Sequence, residues 1–429
     1  MNSSAALPRR LPFFYGWAIV GAAGASMFVR NSAATLTIAV FVYPMSEDLG
    51  WSRTLIVGAS ATAGIAAMFF SPLAGWVLHR FGARALLGVS VLLLGAAILS
   101  IRWASTPVAF YLLFGIGRVI FSSPVQIGAA TVVAQWFVKK RGRATAVLGV
   151  MHSFGMGLFP LFAQLLINSN GGDWRMAWFW LGISVWIVAV PPVIGLLRGT
   201  PESMGLEPDG GEAAGTPESA ASRQAREPEW TLREAMRTPA LWMLALAGGF
   251  AFFIHTGVNI HQAAFLRDQG LAATVAASAL TVMAAGTALG SVAWGWLLDR
   301  APVKLVYAAS ACWLGGASLL FLLVDSAAVA FVAAATFGVG LGALLVVPPV
   351  AIASYFGRRS LGAIRGVTEP FVSGAQALGA VGAGLVYDLT DSYSLTFPVF
   401  TGAALAAALL IVAVRRPTKP VVAPAPAAS

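Results

Sequence analysis

Charged residues are scarce in this sequence. Only 10% of its 429 residues are charged, against 58% that are hydrophobic, whereas a soluble domain carries about 25% charged residues. A water-soluble fold cannot cover so much apolar surface, which excludes a soluble enzyme or a nucleic-acid-binding domain. Apolar runs of about 20 residues recur along the chain, the length that crosses roughly 30 Å of hydrocarbon. The composition therefore predicts an all-α polytopic membrane protein.

Cysteine and histidine are also rare, with one Cys and four His. The lone Cys312 excludes a disulfide framework. The sequence has no metal-ligand cluster, no nucleophile–base constellation and no Gly-Lys-Ser/Thr phosphate loop. We therefore expect no metal, no cofactor, no enzymatic activity and no ATP-driven motor.

Twelve apolar segments have the length of membrane helices, and the alternating ten-residue strands of a membrane barrel are absent. We predict helices at 13–40, 55–79, 84–103, 107–137, 142–168, 175–198, 239–266, 272–298, 303–324, 327–356, 362–388 and 394–414.

The basic residues predict the orientation of these helices. With both termini in the cytoplasm, 21 of the 27 Lys and Arg residues fall in cytoplasmic segments and four in outer turns. Cytoplasmic loops of membrane proteins carry such an excess of positive charge. Only Arg30 and Arg118 remain within the bilayer. The net charge of +10 is thus explained by membrane orientation, and we expect no nucleic-acid partner.

The chain divides into two hydrophobic halves, 13–198 and 239–414. Between them lies a polar cytoplasmic linker, 199–238, that holds eight of the 17 acidic residues. Residues 1–12 form a predicted cytoplasmic tail, and 415–429 form a Pro/Ala-rich tail predicted to be disordered. The end of the linker, "PEWTLREAMR", is predicted to form a short interfacial helix.

One short basic turn occurs twice, at a constant offset of 220 residues. It reads "GWVLHRFGAR" at 75–84 and "GWLLDRAPVK" at 295–304. A second pair of stretches, "WFVKKRGRA" and "YFGRRSLGA", places Gly142 and Gly362 at the same offset. The repeats indicate a duplicated six-helix unit, an organisation typical of secondary transporters.

Both turns resemble the hallmark of the major facilitator superfamily, GxLxDRxGxR. Four further stretches resemble the bacterial monocarboxylate-transporter-like and oxalate/formate-exchanger-like members of that superfamily. They read "FYGWAIV", "YPMSEDLGWSR", "QWFVKKRGRATA" and "PESMGLEPDG". The resemblance implies two six-helix repeats, with helices 1, 4, 7 and 10 around a central cavity and transport by alternating access.

The repeated turn is predicted to act as a conformational latch. Gly75 permits close approach of helices 2 and 11, and Arg80 and Arg84 can hold the ends of neighbouring helices. His79 stands where the family has Asp, whereas Asp299 keeps the acid in the second copy. The first copy is then either a weaker, pH-sensitive latch or a tolerated surface variant. The predicted latch residues are Gly75, His79, Arg80, Arg84, Gly295, Asp299 and Arg300.

Ionisable residues inside membrane helices are costly and therefore mark candidate sites. Arg30, Arg118 and His255 lie at similar depths in predicted helices 1, 4 and 7. Polar residues in helices 4 and 7 follow i, i+4 spacing, which places them on shared faces. The predicted substrate-binding residues are Arg30, Asn31, Arg118, Ser122, Gln126, His255 and Asn259.

Two guanidiniums in a cavity attract an anion, and arginine can bind a carboxylate through two parallel hydrogen bonds. The alternative is a structural role, with Arg118 bound to helix carbonyls. Both family groups named above place an Arg on helix 8, and the oxalate-type members also carry a Lys on helix 11; this sequence has neither. Either Arg30 and Arg118 replace those cations, or the substrate is not a simple carboxylate.

Proton coupling requires a titratable group whose exposure changes. The candidates are His255, His261 and Glu369. Glu369 has an alternative role as the ion-pair partner of Arg365. The alternative for His261 is simply a position near the outer mouth of the cavity. For His152 on helix 5, a helix-packing hydrogen bond is the favoured prediction.

We therefore expect a monomeric, multi-pass protein of the bacterial inner (plasma) membrane. It would move a small organic anion, with a monocarboxylate as the leading class, by alternating access coupled to protons. Two alternatives stay open at this point. One is a proton-driven exporter of apolar or cationic compounds, and the other is a membrane sensor that transports nothing.

Overall fold

The computed structural model describes residues 12–210, 230–358 and 360–418, and within these ranges it is all helical, with no strand. Twelve segments run the length of the bundle. They are α1 (Gly16–Leu49), α2 (53–81), α3 (83–103), α4 (Pro107–Trp136), α5 (Arg141–Ser169), α6 (Trp174–Leu196), α7 (Pro239–Asp268), α8 (Ala273–Leu298), α9 (Val303–Leu323), α10 (Ala327–Phe356), α11 (Leu361–Thr390) and α12 (Thr396–Ala413).

The predicted all-helical membrane architecture is confirmed. Ten helices in the described part of the chain are long and apolar enough to cross a membrane. One of them, Arg53–Trp103, has 51 residues, and Gly82 divides it into α2 and α3. Gly82 has a φ of 81°, which a residue with a side chain rarely adopts. With the 30 residues of α11, the bundle has twelve crossing segments.

The first predicted helix, 13–40, ends too early. In the structure α1 continues to Leu49, and Gly50 ends it in the left-handed conformation. The acidic residues Glu47 and Asp48, outside the predicted span, lie in the last turns of this helix. The other predicted helices agree with the structure to within about two residues at most ends.

Each half has its own hydrophobic core. One continuous cluster of buried side chains lies within residues 15–197, and two further clusters fill the second half, one of which also takes in Ala134 of α4. Large apolar side chains such as Phe69 and Leu409, which are 77% and 70% exposed, cover the outside of the bundle. An apolar exterior suits lipid, as the sequence predicts.

The end of the bundle next to residues 197–238 is called the linker side here, and the other end is called the far side. The predicted tail 1–12, except residue 12, lies outside the described residues. So do the middle of the linker, 211–229, and the C-terminal tail from 419. The predicted interfacial helix is present as Leu232–Met236, and Thr231 and Glu234 cap its first turn reciprocally.

The first part of the linker folds onto both halves. The Asp209 carboxylate accepts hydrogen bonds from the backbone amides of residues 138–140, between α4 and α5. Glu202 forms an ion pair with Arg358, between α10 and α11, at 2.8 Å. The sequence predicts a solvated linker throughout, and Glu202 and Asp209 instead bind to segments next to helix ends.

Candidate functional site

Two of the bundle's helices are interrupted near the middle of their length. In α1 the α-helix ends at Val29, a 3-10 turn covers Arg30–Ala33, and Ala34 is extended before the helix resumes at Thr35. In α4 the break falls at Ser123, because the following Pro124 disfavours the helical conformation for the residue before it. The single helical face predicted for Arg118, Ser122 and Gln126 is therefore interrupted.

Arg30 fills the space between these breaks and is 2% exposed. Its guanidinium donates to the Phe121 carbonyl at 2.9 Å and to Gln126 Oε1 at 3.0 Å, both on α4. It also lies 3.2 Å from His152 Nδ1 on α5. These bonds join α1, α4 and α5, so most of the hydrogen-bonding capacity of Arg30 is used inside the protein.

His152 accepts two hydrogen bonds at one ring nitrogen. Arg30 Nη2 and the Asn31 side-chain amide each lie 3.2 Å from Nδ1. Both partners are donors, so Nδ1 must be the acceptor and the neutral ring carries its proton on Nε2. The predicted packing bond of His152 is therefore present, but it belongs to the polar cluster at the middle of the bundle.

Asn31 is fully buried, and its amide also donates to carbonyls of α1 and to the His152 carbonyl. Its role in the structure is to hold the break in α1. Ser122 is half-buried and Gln126 divides its bonds between two arginines: the side chain accepts from Arg30 and the carbonyl from Arg365.

Arg118 differs from Arg30 in having no such partners. No hydrogen bond or ion pair joins its guanidinium to any residue that the structure describes, and its Nε is buried without a partner. Its Cζ lies 4.3 Å from the centroid of the Phe121 ring, and that of Arg30 lies 4.6 Å from the same ring. Attraction to the ring face places the two cations, but leaves the Arg118 N–H groups unused.

The second half contributes His255 from α7. Its Nδ1 is buried without a hydrogen-bond partner in the described residues, and its ring packs against Phe252. It lies within electrostatic range of His152, as do Arg30 and Arg118. The structure thus brings Arg30, Arg118 and His255 together as predicted, with His152 among them. Asn259 lies one turn further along α7 and is half-buried.

His261 lies apart from this cluster. Its Nε2 is 2.9 Å from the Ala380 carbonyl of α11, and its Nδ1 is 3.0 Å from the Tyr393 hydroxyl. A carbonyl only accepts, so Nε2 donates to it and Nδ1 of the neutral ring accepts from Tyr393. The structure thus assigns this histidine to holding the far-side ends of α7 and α11 together.

Glu369 is buried on α11 beside Arg365, with 3.5 Å between the Glu369 Oε2 and Arg365 Nη2 atoms. Arg365 also reaches the Gln126 carbonyl of α4 at 3.3 Å, across the boundary between the halves. A small cavity of about 30 Å³ adjoins Gln126, Arg365 and Glu369, enough for one or two water molecules.

The second copy of the repeated turn holds the two halves together on the linker side. Asp299 accepts from the Gly142 amide at 2.8 Å and from Arg143 Nε at 2.7 Å. These donors lie at the N-terminus of α5, where a negative charge is favourable. Gly142 and Gly295 are in backbone contact. A Cβ on either glycine would overlap the backbone of the other.

The first copy is different. His79 and Arg80 are exposed, and Arg84 donates to the Ile194 carbonyl at the end of α6. The α2–α11 contact predicted at Gly75 brings the two backbones together: a Cβ on Gly75 would lie 2.9 Å from the Gly362 carbonyl oxygen and 3.0 Å from the Cα of Gly366. In the second copy, Arg300 follows the end of α8 and stacks on Trp296 of that helix.

All hydrogen bonds and ion pairs that join the halves in the described residues lie on the linker side or within the linker-side part of the bundle. They involve Asp299, Arg358 and Arg365 from the second half. The structure is therefore closed towards the linker side.

A bundle of two similar six-helix halves, with a polar cluster between them and a closure at one end, is the arrangement of an alternating-access transporter. The sequence profile described as Major Facilitator Superfamily matches residues 20–273 and 255–429. This chain belongs to the major facilitator superfamily. That superfamily is one of transporters rather than enzymes.

Solved structures of this superfamily share the fold. A human organic anion transporter (TETRAN) superposes with a TM-score of 0.68 at 16% identity, covering 94% of this chain and 100% of that one. A proton:xylose symporter bound to a bromo-deoxyglucose gives a TM-score of 0.70 at 14% identity, covering 93% of this chain and 94% of that one.

Curated relatives align with this chain over only part of their length. A probable hexose phosphate transport protein of Chlamydia trachomatis is 25% identical over 66% of this chain and 66% of its own length. That of Chlamydia pneumoniae is 26% identical over 64% of this chain and 63% of its own length. The chain thus spans slightly less than two thirds of these relatives.

Proposed function

We propose that this major facilitator moves a small organic anion across the membrane, and that Arg118 binds the anion. The observation that carries the proposal is the half-buried guanidinium of Arg118, which has no hydrogen-bond partner in the described residues. An unpaired charge at this depth is costly, and a carboxylate or phosphate would supply the missing acceptors.

A monocarboxylate is the first substrate class to test. One available guanidinium matches one carboxylate, and the four stretches quoted above resemble the monocarboxylate and oxalate/formate groups. A sugar phosphate is the second class, because the Chlamydia relatives are probable hexose phosphate transport proteins. Arg30 then acts indirectly, since its hydrogen bonds hold α1, α4 and α5 around the site.

We assign the linker side to the cytoplasm of a bacterial inner membrane. The 21 Lys and Arg residues on that side, against four on the far side, support this orientation. Some of the counted residues, among them Arg9, Arg10, Arg223, Arg226, Arg359 and Lys419, lie outside the described residues. The conformation described above is then closed to the cytoplasm.

Coupling to protons is part of the proposal. The rival exporter mechanism would use Glu369 as the proton carrier, with the arginines structural. The contact of Glu369 with Arg365, and of Arg365 with Gln126, makes such a role compatible with the structure. Substrate class and gradient dependence separate the two mechanisms.

The test is uptake into proteoliposomes under an imposed inward proton gradient. Labelled lactate, pyruvate, acetate, formate, oxalate and glucose 6-phosphate are screened with the wild-type protein, with Arg118→Ala and with Arg267→Ala. Arg267 is an exposed arginine at the far-side end of α7 and serves as the matched control. We expect accumulation of at least one anion by the wild type and the control, and its loss in Arg118→Ala.

Accumulation that survives in Arg118→Ala would contradict the assigned site. Failure of every anion to move, with folded protein, would contradict the anion proposal. Gradient-driven extrusion of an apolar cation would then favour the exporter, and no flux of any solute would favour the sensor.

A further inference from the structure

We infer that His152 takes up the proton that accompanies the anion, so that proton and anion occupy one cluster in the first half of the protein. This inference rests on the proposed function, and it assigns the proton to a residue other than the predicted candidates His255, His261 and Glu369.

The first step is the hydrogen bonding of the ring. Nδ1 accepts from Arg30 and from Asn31, as described above, which fixes the proton of the neutral ring on Nε2. Nε2 has no hydrogen bond to any residue that the structure describes. The ring therefore keeps one basic nitrogen, Nδ1, against the Arg30 guanidinium.

The second step is the charge around the ring. The groups that act on His152 electrostatically are Arg30 from α1, Arg118 from α4 and His255 from α7. The helices α8 and α10, which also pack against α5, carry no Asp, Glu, Lys or Arg in their sequences. The nearest acid linked to the cluster is Glu369, which acts on Arg30. In the absence of a solute, a proton on His152 would thus face two fixed positive charges.

A bound anion lowers this obstacle. Its negative charge beside Arg118 offsets the repulsion between the guanidiniums and an imidazolium. A proton then adds to Nδ1, and the bonds from Arg30 and Asn31 to that nitrogen break. Each partner regains one free N–H, and Arg30 keeps its bonds to Phe121 and Gln126.

The order and the stoichiometry follow from this chemistry. The anion binds first and the proton second, with one positive charge added for each negative charge of a monoanion. Transport of a monoanion is then electroneutral, and an imposed membrane potential does not change its rate.

The test uses His152→Asn, because Asn Oδ1 takes nearly the position of His Nδ1. The variant keeps an acceptor for Arg30 and Asn31 but cannot take a proton. We expect anion counterflow within about threefold of the wild type, and at least a tenfold loss of anion-driven proton movement, reported by an internal pH dye. Glu369→Gln is compared in parallel, and we expect proton movement to persist in it wherever counterflow does.

Anion-driven proton movement that remains in His152→Asn would overturn the inference and leave the proposed function standing. Loss of counterflow in folded His152→Asn would also overturn it, because the residue would then serve binding or packing alone. If the wild type moves no tested anion, the proposed function fails and this inference with it.

A second measurement does not depend on how the variant folds. Calorimetric titration of purified wild-type protein with the transported anion, in buffers of different ionisation enthalpy, counts the protons taken up on binding. We expect the count to rise towards one proton per anion as the pH falls towards the ordinary range for histidine. A count of zero across that range overturns the inference.

Discussion

The Asp299 carboxylate on α8 accepts a hydrogen bond from the backbone amide of Gly142 on α5, at 2.8 Å and across the boundary between the two halves. Asp299 also pairs with Arg143, and its side chain is only 4% exposed. The position that corresponds to Asp299 in the first half is His79, which is exposed. The two repeats thus close the linker side by unequal means.

We expect Asp299→Asn to favour opening of the linker side. Hydrogen bonds to a charged group are worth about 1.5–3 kcal/mol, so the closed population should fall roughly tenfold or more relative to the open one. The measurement is the rate at which a membrane-impermeant thiol reagent, applied from the linker side, labels Thr368→Cys in a Cys312→Ser background. Thr368 is 3% exposed in the closed structure. His79→Asn is the matched control, and an equal rate in both variants would contradict the assignment.

The converse change, His79→Asp, should stabilise closure. By the 220-residue repeat, residue 79 corresponds to Asp299 and Gly362 to Gly142. An acid there would face the N-terminus of α11, a gain of about 0.5–1 kcal/mol. We expect slower labelling of Thr368→Cys from the linker side, and a narrower dependence of transport on cytoplasmic pH. Unchanged labelling and an unchanged pH profile would show that His79 is a tolerated surface residue.

Gly366→Ala should disturb the α2–α11 contact. A Cβ at this position would lie 2.9 Å from the Cα of Gly75, and backbone cannot yield as a flexible side chain can. We expect faster labelling of Thr368→Cys from the linker side, or a lower midpoint of thermal unfolding. Gly64→Ala, on the same pair of helices, is the control because nothing lies within 4 Å of its Cβ. Ala is the better helix former, so the control should be neutral or more stable.

The two membrane arginines should respond differently to replacement by lysine. Arg30→Lys loses bonds to Phe121, Gln126 or His152, at about 1–2 kcal/mol each within a membrane protein. We expect a lower free energy of unfolding for Arg30→Lys. Arg118→Lys should unfold like the wild type and bind the anion at least tenfold more weakly. Thermal unfolding and equilibrium binding, measured on both variants, check the pair, and identical profiles would contradict the division of roles.

Much of the fold follows from local sequence. Length and hydropathy place the helix ends, and the repeat at 75–84 and 295–304 reveals the two halves. The break at Ser123 can also be predicted from the sequence, since the Pro that follows it disfavours the helical conformation. The break at Arg30–Ala34 has no Pro or Gly to mark it. It depends on Asn31, whose amide bonds to the preceding turn and to α5.

The roles within the site were less accessible to sequence reasoning. Depth in the membrane singles out Arg30, Arg118 and His255, and the structure brings them together. Which guanidinium is left unpaired depends on partners such as Phe121 and His152, which are 91 and 122 residues from Arg30 along the chain. No periodicity encodes such a distance. The linker acids Glu202 and Asp209 were missed for the same reason.

The unequal edges of the closure also bear on how the protein moves. At one edge, α5 and α8 are joined by a buried carboxylate, and at the other, α2 and α11 meet through glycine backbone and the apolar Leu78 side chain. Two rigid bodies held more firmly at one edge rotate about that edge. We therefore expect the halves to rotate about the α5–α8 contact, so that the α2–α11 contact separates first. Water from the cytoplasm would then enter between α2 and α11.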